Sequence, residues 1–130
     1  MPASLGIGTA TFIPNYGFSK DSPDSDLIRI AIQNGVRYID TAANYGGANV
    51  ALSQLSESAV EPSVRIVTKI PPAALDGSLD EAEAKVRQLV RSLNLPRVDS
   101  LLLHSATVED LMNPRVVESV RHAGMVGLTS

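Results

Sequence analysis

The sequence predicts an α/β fold in which parallel strands alternate with helices. Three observations carry this expectation. Short apolar runs alternate with stretches of helical period along the chain, the helical stretches are long enough for crossovers, and no linker, low-complexity tract or short repeat divides the 130 residues. A single domain over residues 1–130 follows.

Each element has its own signal. Leu5 to Phe12 is apolar and runs into Pro14, Asn15 and Gly17, a strand entering a loop. Ser22 and Pro23 can open a helix, with Asp24 and Asp26 in its first turn, and Asn34-Gly35 stops it. Val36 to Ile39 is a second strand, ending in Asp40 and a polar loop through Gly47; a weaker helix covers roughly Ala48 to Ser58. Val64 to Lys69 is a third strand, bounded by Pro62 and Pro71-Pro72. The third helix is the clearest: Ser78 and Glu81 form a capping box, and Leu79, Ala82, Val86, Leu89, Val90 and Leu93 draw one apolar stripe before Asn94 and Pro96. Val98 to His104 is a fourth strand whose continuous leucines predict burial on both faces. Thr107 and Asp110 open a short helical turn, Asn113-Pro114 restarts a helix toward Gly124, and Met125 to Thr129 completes a fifth strand.

Composition removes several classes of function. With 44% hydrophobic residues, 19% charged and a net charge of −3, the chain is globular and has no basic stripe for a nucleic-acid backbone. Aromatic residues are only 4%, too few and too scattered for a base-stacking platform. The absence of cysteine excludes disulfide scaffolds and thiolate chemistry, and fits a cytoplasmic setting. No apolar run approaches the ~20 residues that span a bilayer, and the first four residues have no basic leader character, so no membrane partner is expected. Two isolated histidines make no metal site.

The second, third and fourth strands each end in an ionisable side chain: Asp40, Lys69 and His104. In a parallel sheet all carboxyl ends lie along one edge, so these residues converge, and Tyr45 in the loop after Asp40 can join them. Singly, each has an ordinary reading as a turn former, surface lysine, packed ring or cap. Together they are chemically complementary. An ammonium beside a phenol stabilises the phenolate and makes the phenol a better proton donor, a carboxylate orients the ammonium, and a neutral imidazole can hydrogen-bond a carbonyl oxygen. His122, beside Arg121 near a helix end, is expected to be solvated there and is given no chemistry.

A doubly wound sheet and a barrel both satisfy the alternation. Gly6-Ile7-Gly8 opens like a dinucleotide fingerprint, but Thr11 stands at the third glycine position and Pro14, Asn15 and Gly17 intervene before any helix, which argues against a Rossmann fold. Instead, Leu5-Gly6-Ile7-Gly8-Thr9-Ala10, Gly35-Val36-Arg37-Tyr38-Ile39-Asp40-Thr41-Ala42, Asn44-Tyr45-Gly46, Thr68-Lys69, Val98 to His104 and Gly127-Leu128-Thr129-Ser130, in that order, resemble the amino-terminal half of an aldo/keto reductase. The resemblance implies a parallel (β/α)8 barrel of the TIM type, of which this chain supplies about four and a half units, and a reaction in which NADPH or NADH reduces an aldehyde or ketone. It implies Asp40, Tyr45, Lys69 and His104 as the catalytic tetrad, with Tyr45 as general acid, and Gly8, Thr9, Thr129 and Ser130 as cofactor-binding residues. Gly8-Thr9-Ala10 and Asn15-Tyr16-Gly17 further resemble a branch associated with bacterial surface polysaccharides, which implies a sugar-like carbonyl substrate.

The sequence departs from that family at three places. Thr129-Ser130 stands where Ser-Asn is usual, Asn49 and Ser53 stand near positions that often carry an acid and a glycine, and the later strands that hold the cofactor's pyrophosphate and adenosine are missing. An open half-barrel exposes strand interiors and two edges, which predicts a truncated reductase or self-association of half-barrels. Two other expectations compete: a noncatalytic assembly module, and a Schiff-base lyase using Lys69, against which Asp40 argues by keeping the lysine charged.

Overall fold

A computed structural model describes residues 5–12, 25–55, 63–94 and 98–125. Four strands, β1 (Leu5–Gly8), β2 (Val36–Asp40), β3 (Arg65–Ile70) and β4 (Ser100–Leu103), form one parallel sheet in the order β1-β2-β3-β4. Helices α1 (Ser25–Gln33), α2 (Gly46–Ser53) and α3 (Leu79–Ser92) lie between successive strands, and α4 (Val108–Met112) and α5 (Pro114–Met125) follow β4. Sequential neighbours with no reversal of strand order distinguish this arrangement from a doubly wound sheet, which changes direction at a switch point. It is the beginning of a (β/α) barrel.

The sheet has two unlike faces, and strand periodicity creates them. Ile66, Thr68 and Ile70 on β3 are buried, and their neighbours in register, Ile39 on β2 and Leu101 and Leu103 on β4, share that face. There β1–β3 pack on α1 and α2 through Ile28, Ile32, Ile39, Leu52 and Ile66, while Ile70, Leu101 and Leu103 meet Ala82, Val86 and Leu89 of α3. The alternate residues form the opposite, barrel-interior face: Gly6 beside Tyr38, then Gly8, Asp40, Val67 and Ser100 in one row, then Lys69 beside Leu102. This face is open, with Tyr38 45% and Leu102 47% exposed. At Gly6 the two strands approach so closely that a Cβ would stand 3.2 Å from the Tyr38 Cβ.

Most element ends follow the chemistry read from the sequence. Gly35 ends α1 with a positive φ of 93°, a conformation that suits glycine. The capping boxes at Ser78–Glu81 and Thr107–Asp110 are both formed. Ser22, Pro23 and Asp24 lie outside the described residues, as do residues 126–129 of the expected fifth strand; Met125 closes α5.

Four expectations need correction. The first strand stops at Gly8, because Thr9 turns inward and a 3₁₀ turn follows at Ala10–Phe12. Helix α2 starts two residues early and runs to Ser53, since Tyr45 caps it without a side-chain bond and Ala48, Ala51 and Leu52 supply its buried face. The β4 leucines are not buried on both faces: Leu102 points to the open face, and Leu101 and Leu103 are only half-buried. His122 is not merely solvated, since its Nε2 lies 2.7 Å from Glu83 Oε2 on α3, a partner 39 residues away in sequence.

Candidate active site

At the carboxyl edge of the sheet β2, β3 and β4 deliver Asp40, Lys69 and His104, and the loop between β2 and α2 adds Tyr45. Lys69 Nζ donates to Asp40 Oδ1 and to the Thr41 carbonyl, the latter at 3.2 Å. Asp40 and Lys69 lie on the same face in adjacent strands, because Asp40 is in register with Val67, two residues before Lys69. The same Nζ stands 5.8 Å from the centroid of the Tyr45 ring, within reach of cation–π attraction. Tyr45 meets His104 edge to face, with ring centroids 5.7 Å apart and planes at 88°. All four expected residues are thus brought together around one point.

Backbone hydrogen bonds hold this cluster to the sheet. His104 N–H donates to the Ile70 carbonyl at 2.9 Å, which ties the end of β4 to the end of β3. Directly after it Ser105 takes a left-handed φ of 54°, turning the chain toward α4. Lys69 is 19% exposed at its side chain and Asp40 47%, so the ammonium is largely withdrawn from water while its partner faces the open mouth. An ammonium that donates to a carboxylate and a carbonyl is not the free amine that imine formation requires, which weighs against Schiff-base chemistry.

The expected cofactor residues divide. Gly8 is exposed and stands beside Asp40 in register, and a Cβ built there meets nothing within 4 Å, so the backbone is open at this point of the rim. Thr9 is buried, and both its N–H (2.9 Å) and its Oγ1 (3.0 Å) donate to the Asp40 carbonyl, so its side chain fixes the β1–β2 edge and leaves its backbone as the part that follows Gly8 at the rim. Thr129 and Ser130 lie outside the described residues. The Gly8 opening beside Asp40, Tyr45, Lys69 and His104 has room for a flat ring such as nicotinamide. Among the described residues no group of three or more His, Asp or Glu side chains could hold a metal ion, and no helix is long and apolar enough to cross a membrane.

Sequence reasoning missed how the Tyr45 loop is held. In the sequence Asn49 is only a departure from a family pattern, yet its side chain bonds to Thr41, Ala42 and Ala43. A polar residue at the first turn of a weak helix, four positions beyond Tyr45, was the available signal.

A parallel β/α sheet with sequential strand order and an acid, phenol, ammonium and imidazole at its carboxyl edge defines the first part of a (β/α) barrel with a polar cluster at its rim. Residues 4–114 match the family model described as the aldo/keto reductase family, and the chain belongs to that family. Among solved structures, it is similar to PA4992 of Pseudomonas aeruginosa, a candidate aldo-keto reductase, at 25% identity and a TM-score of 0.73, covering 97% of this chain and 52% of that one. The thermostable aldo-keto reductase Tm1743, solved with the inhibitor epalrestat, is 25% identical with a TM-score of 0.72 over 95% of this chain and 46% of that one. An aldo-keto reductase of Bombyx mori, solved with NADP, shares the fold at 22% identity and a TM-score of 0.62, with 96% and 43% covered. A search among curated proteins found no match. The chain spans about half the length of the solved structures that it matches.

Proposed function

We propose that this chain forms the proton-donating half of a nicotinamide-dependent carbonyl reductase active site, with Tyr45 as general acid. The observation that carries the reading is the joint contact of Lys69 with Asp40 and of Tyr45 with both Lys69 and His104. His104 hydrogen-bonds the carbonyl oxygen of an aldehyde or ketone and sets its position. The Tyr45 hydroxyl gives its proton to that oxygen as the carbon is reduced, and the phenolate left behind is stabilised by the Lys69 ammonium. Asp40 and the Thr41 carbonyl keep the ammonium aimed at the ring. A proton from water then restores the phenol.

Reduced nicotinamide, NADPH or NADH, would supply the hydride when bound, and Gly8, Thr9 and, as the family resemblance implies, Thr129 and Ser130 are the residues that would hold it. A small sugar-like carbonyl is the substrate class that the Gly8-Thr9-Ala10 resemblance favours, and a cytoplasmic setting suits a chain without cysteine.

The open sheet face favours a second reading, in which this half is an assembly module. Exposed Tyr38 and Leu102 on that face, and the outer edges of β1 and β4, offer a docking surface to further β/α units, including those of another copy. Titration of NADPH fluorescence with the chain, followed by an assay of NADPH consumption with an aldehyde, separates the two. Binding with aldehyde-dependent oxidation supports the reductase. Chain association without any nicotinamide binding, also when the chain is joined to the complementary half of a relative's barrel, would reject it.

A further inference from the structure

The loop that carries Tyr45 is held from two sides. Toward the sheet, Thr41 N–H donates to the Val67 carbonyl at 2.9 Å and Ala43 N–H to the Lys69 carbonyl at 2.8 Å, so the pairing with β3 continues beyond Asp40. Toward the helix, a single side chain on α2 does the holding. Asn49 Nδ2 donates to the carbonyls of Ala42 and Ala43, both at 3.2 Å, and Asn49 Oδ1 accepts from the Thr41 hydroxyl at 3.2 Å. Two carbonyl oxygens facing one end of the amide require N–H donors there, which fixes the orientation of the carboxamide.

The segment gripped in this way reaches the proton-donor cluster at two points. The carbonyl of Thr41, a fully buried residue, accepts from Lys69 Nζ. Tyr45 N–H donates to the Ala42 carbonyl at 3.0 Å, and the Tyr45 carbonyl accepts from Asn49 N–H at 2.9 Å. Asn49 therefore touches Tyr45 through its backbone and the residues leading to Tyr45 through its side chain.

We infer that Asn49 is a positioning residue of this site: its carboxamide sets the path of residues 41–45, and with it the Tyr45 ring against His104 and the Thr41 carbonyl against Lys69. Its functional consequence rests on the reading of Tyr45 as proton donor; the placement stands on the hydrogen bonds alone. The residue type is demanding. A carboxamide of this length gives two donors at one end and an acceptor at the other, whereas an aspartate would turn one unprotonated oxygen toward the Ala42 and Ala43 carbonyls.

Amide exchange and ring contacts of the full chain, read by nuclear magnetic resonance for the wild type, Asn49→Ala and Asn49→Asp, test this. Both variants are expected to lower the protection of the Tyr45 amide by about tenfold and to weaken the Tyr45–His104 inter-ring contact, while Val86 and Leu89 in α3 keep their protection. In Asn49→Asp, acidification below pH about 4 returns a proton and one donor, so Tyr45 protection rises relative to wild type at the same pH. Unchanged Tyr45 protection in Asn49→Ala overturns the inference, and so does an equal loss across α3, which would make Asn49 a residue of general stability. Alanine favours the helix, so Asn49→Ala decides alone if Asn49→Asp does not fold. No turnover enters this reading, so it stands or falls separately from the reductase reading.

Discussion

At the scale of single residues, function depends on which side chains share the open face of the sheet. Asp40, Lys69 and His104 were legible as strand-end residues because a parallel sheet gathers carboxyl ends, and Tyr45 was legible by its nearness to Asp40. Thr9 and Asn49 were less so. Thr9 turns both donors to one carbonyl of β2, a partner 31 residues away, and Asn49 reaches three residues of a loop, for which its polarity at the first turn of α2 was the one sign. The Lys69 ammonium is the only cation of the four, and its removal leaves Asp40 facing an uncharged side chain. Replacing Lys69 with Met in a barrel that turns over should lower the rate of carbonyl reduction by about a hundredfold with the fold retained, as followed by NADPH absorbance. A variant as fast as wild type would mean that the ammonium does not serve the proton transfer.

At the scale of elements, helix starts were read more surely than strand burial. Capping boxes are local, so Ser78–Glu81 and Thr107–Asp110 appear in the sequence as they do in the fold. Burial of a strand depends on what covers it, and the leucines of β4 could not reveal that Leu102 faces an open side. Ser78→Ala should cost about 1 kcal/mol in urea unfolding, because the Glu81 N–H at the start of α3 loses its acceptor and the Glu81 carboxyl loses the Ser78 hydroxyl. The backbone and side-chain donors of Ser78 hold the Glu81 carboxyl below the usual carboxylate range, and those of Thr107 do the same for Asp110. Arg87 first, then His122, lower Glu83 likewise. Depressed folded-state values mean that these bonds stabilise the fold above the usual range near pH 4, and that the contribution is lost as pH falls through the lowered values. Amide protection at the first turns of α3 and α4 should therefore hold down to about pH 4.5 and fall in the interval below it, and the Ser78→Ala effect should shrink with it. Protection that is flat across that interval would contradict the assignment.

At the scale of the whole molecule, alternation of strands and helices was enough for the fold class, while the choice of barrel over doubly wound sheet came from ordered motifs and is decided in the structure by the strand order β1-β2-β3-β4. The helices cover one face, and the tetrad stands at the rim of the other, where Gly8 leaves the surface open. The chain spans about half of its solved relatives, so its chemistry is best read in a closed barrel, with this chain joined to the complementary half. The most direct measurement is aldehyde-dependent NADPH oxidation by such a barrel carrying Tyr45→Phe, which deletes one hydroxyl and keeps the ring against His104. Turnover reduced by about a hundredfold or more, with nicotinamide binding intact, is the expected result; turnover equal to that of the unaltered barrel would contradict Tyr45 as the proton donor.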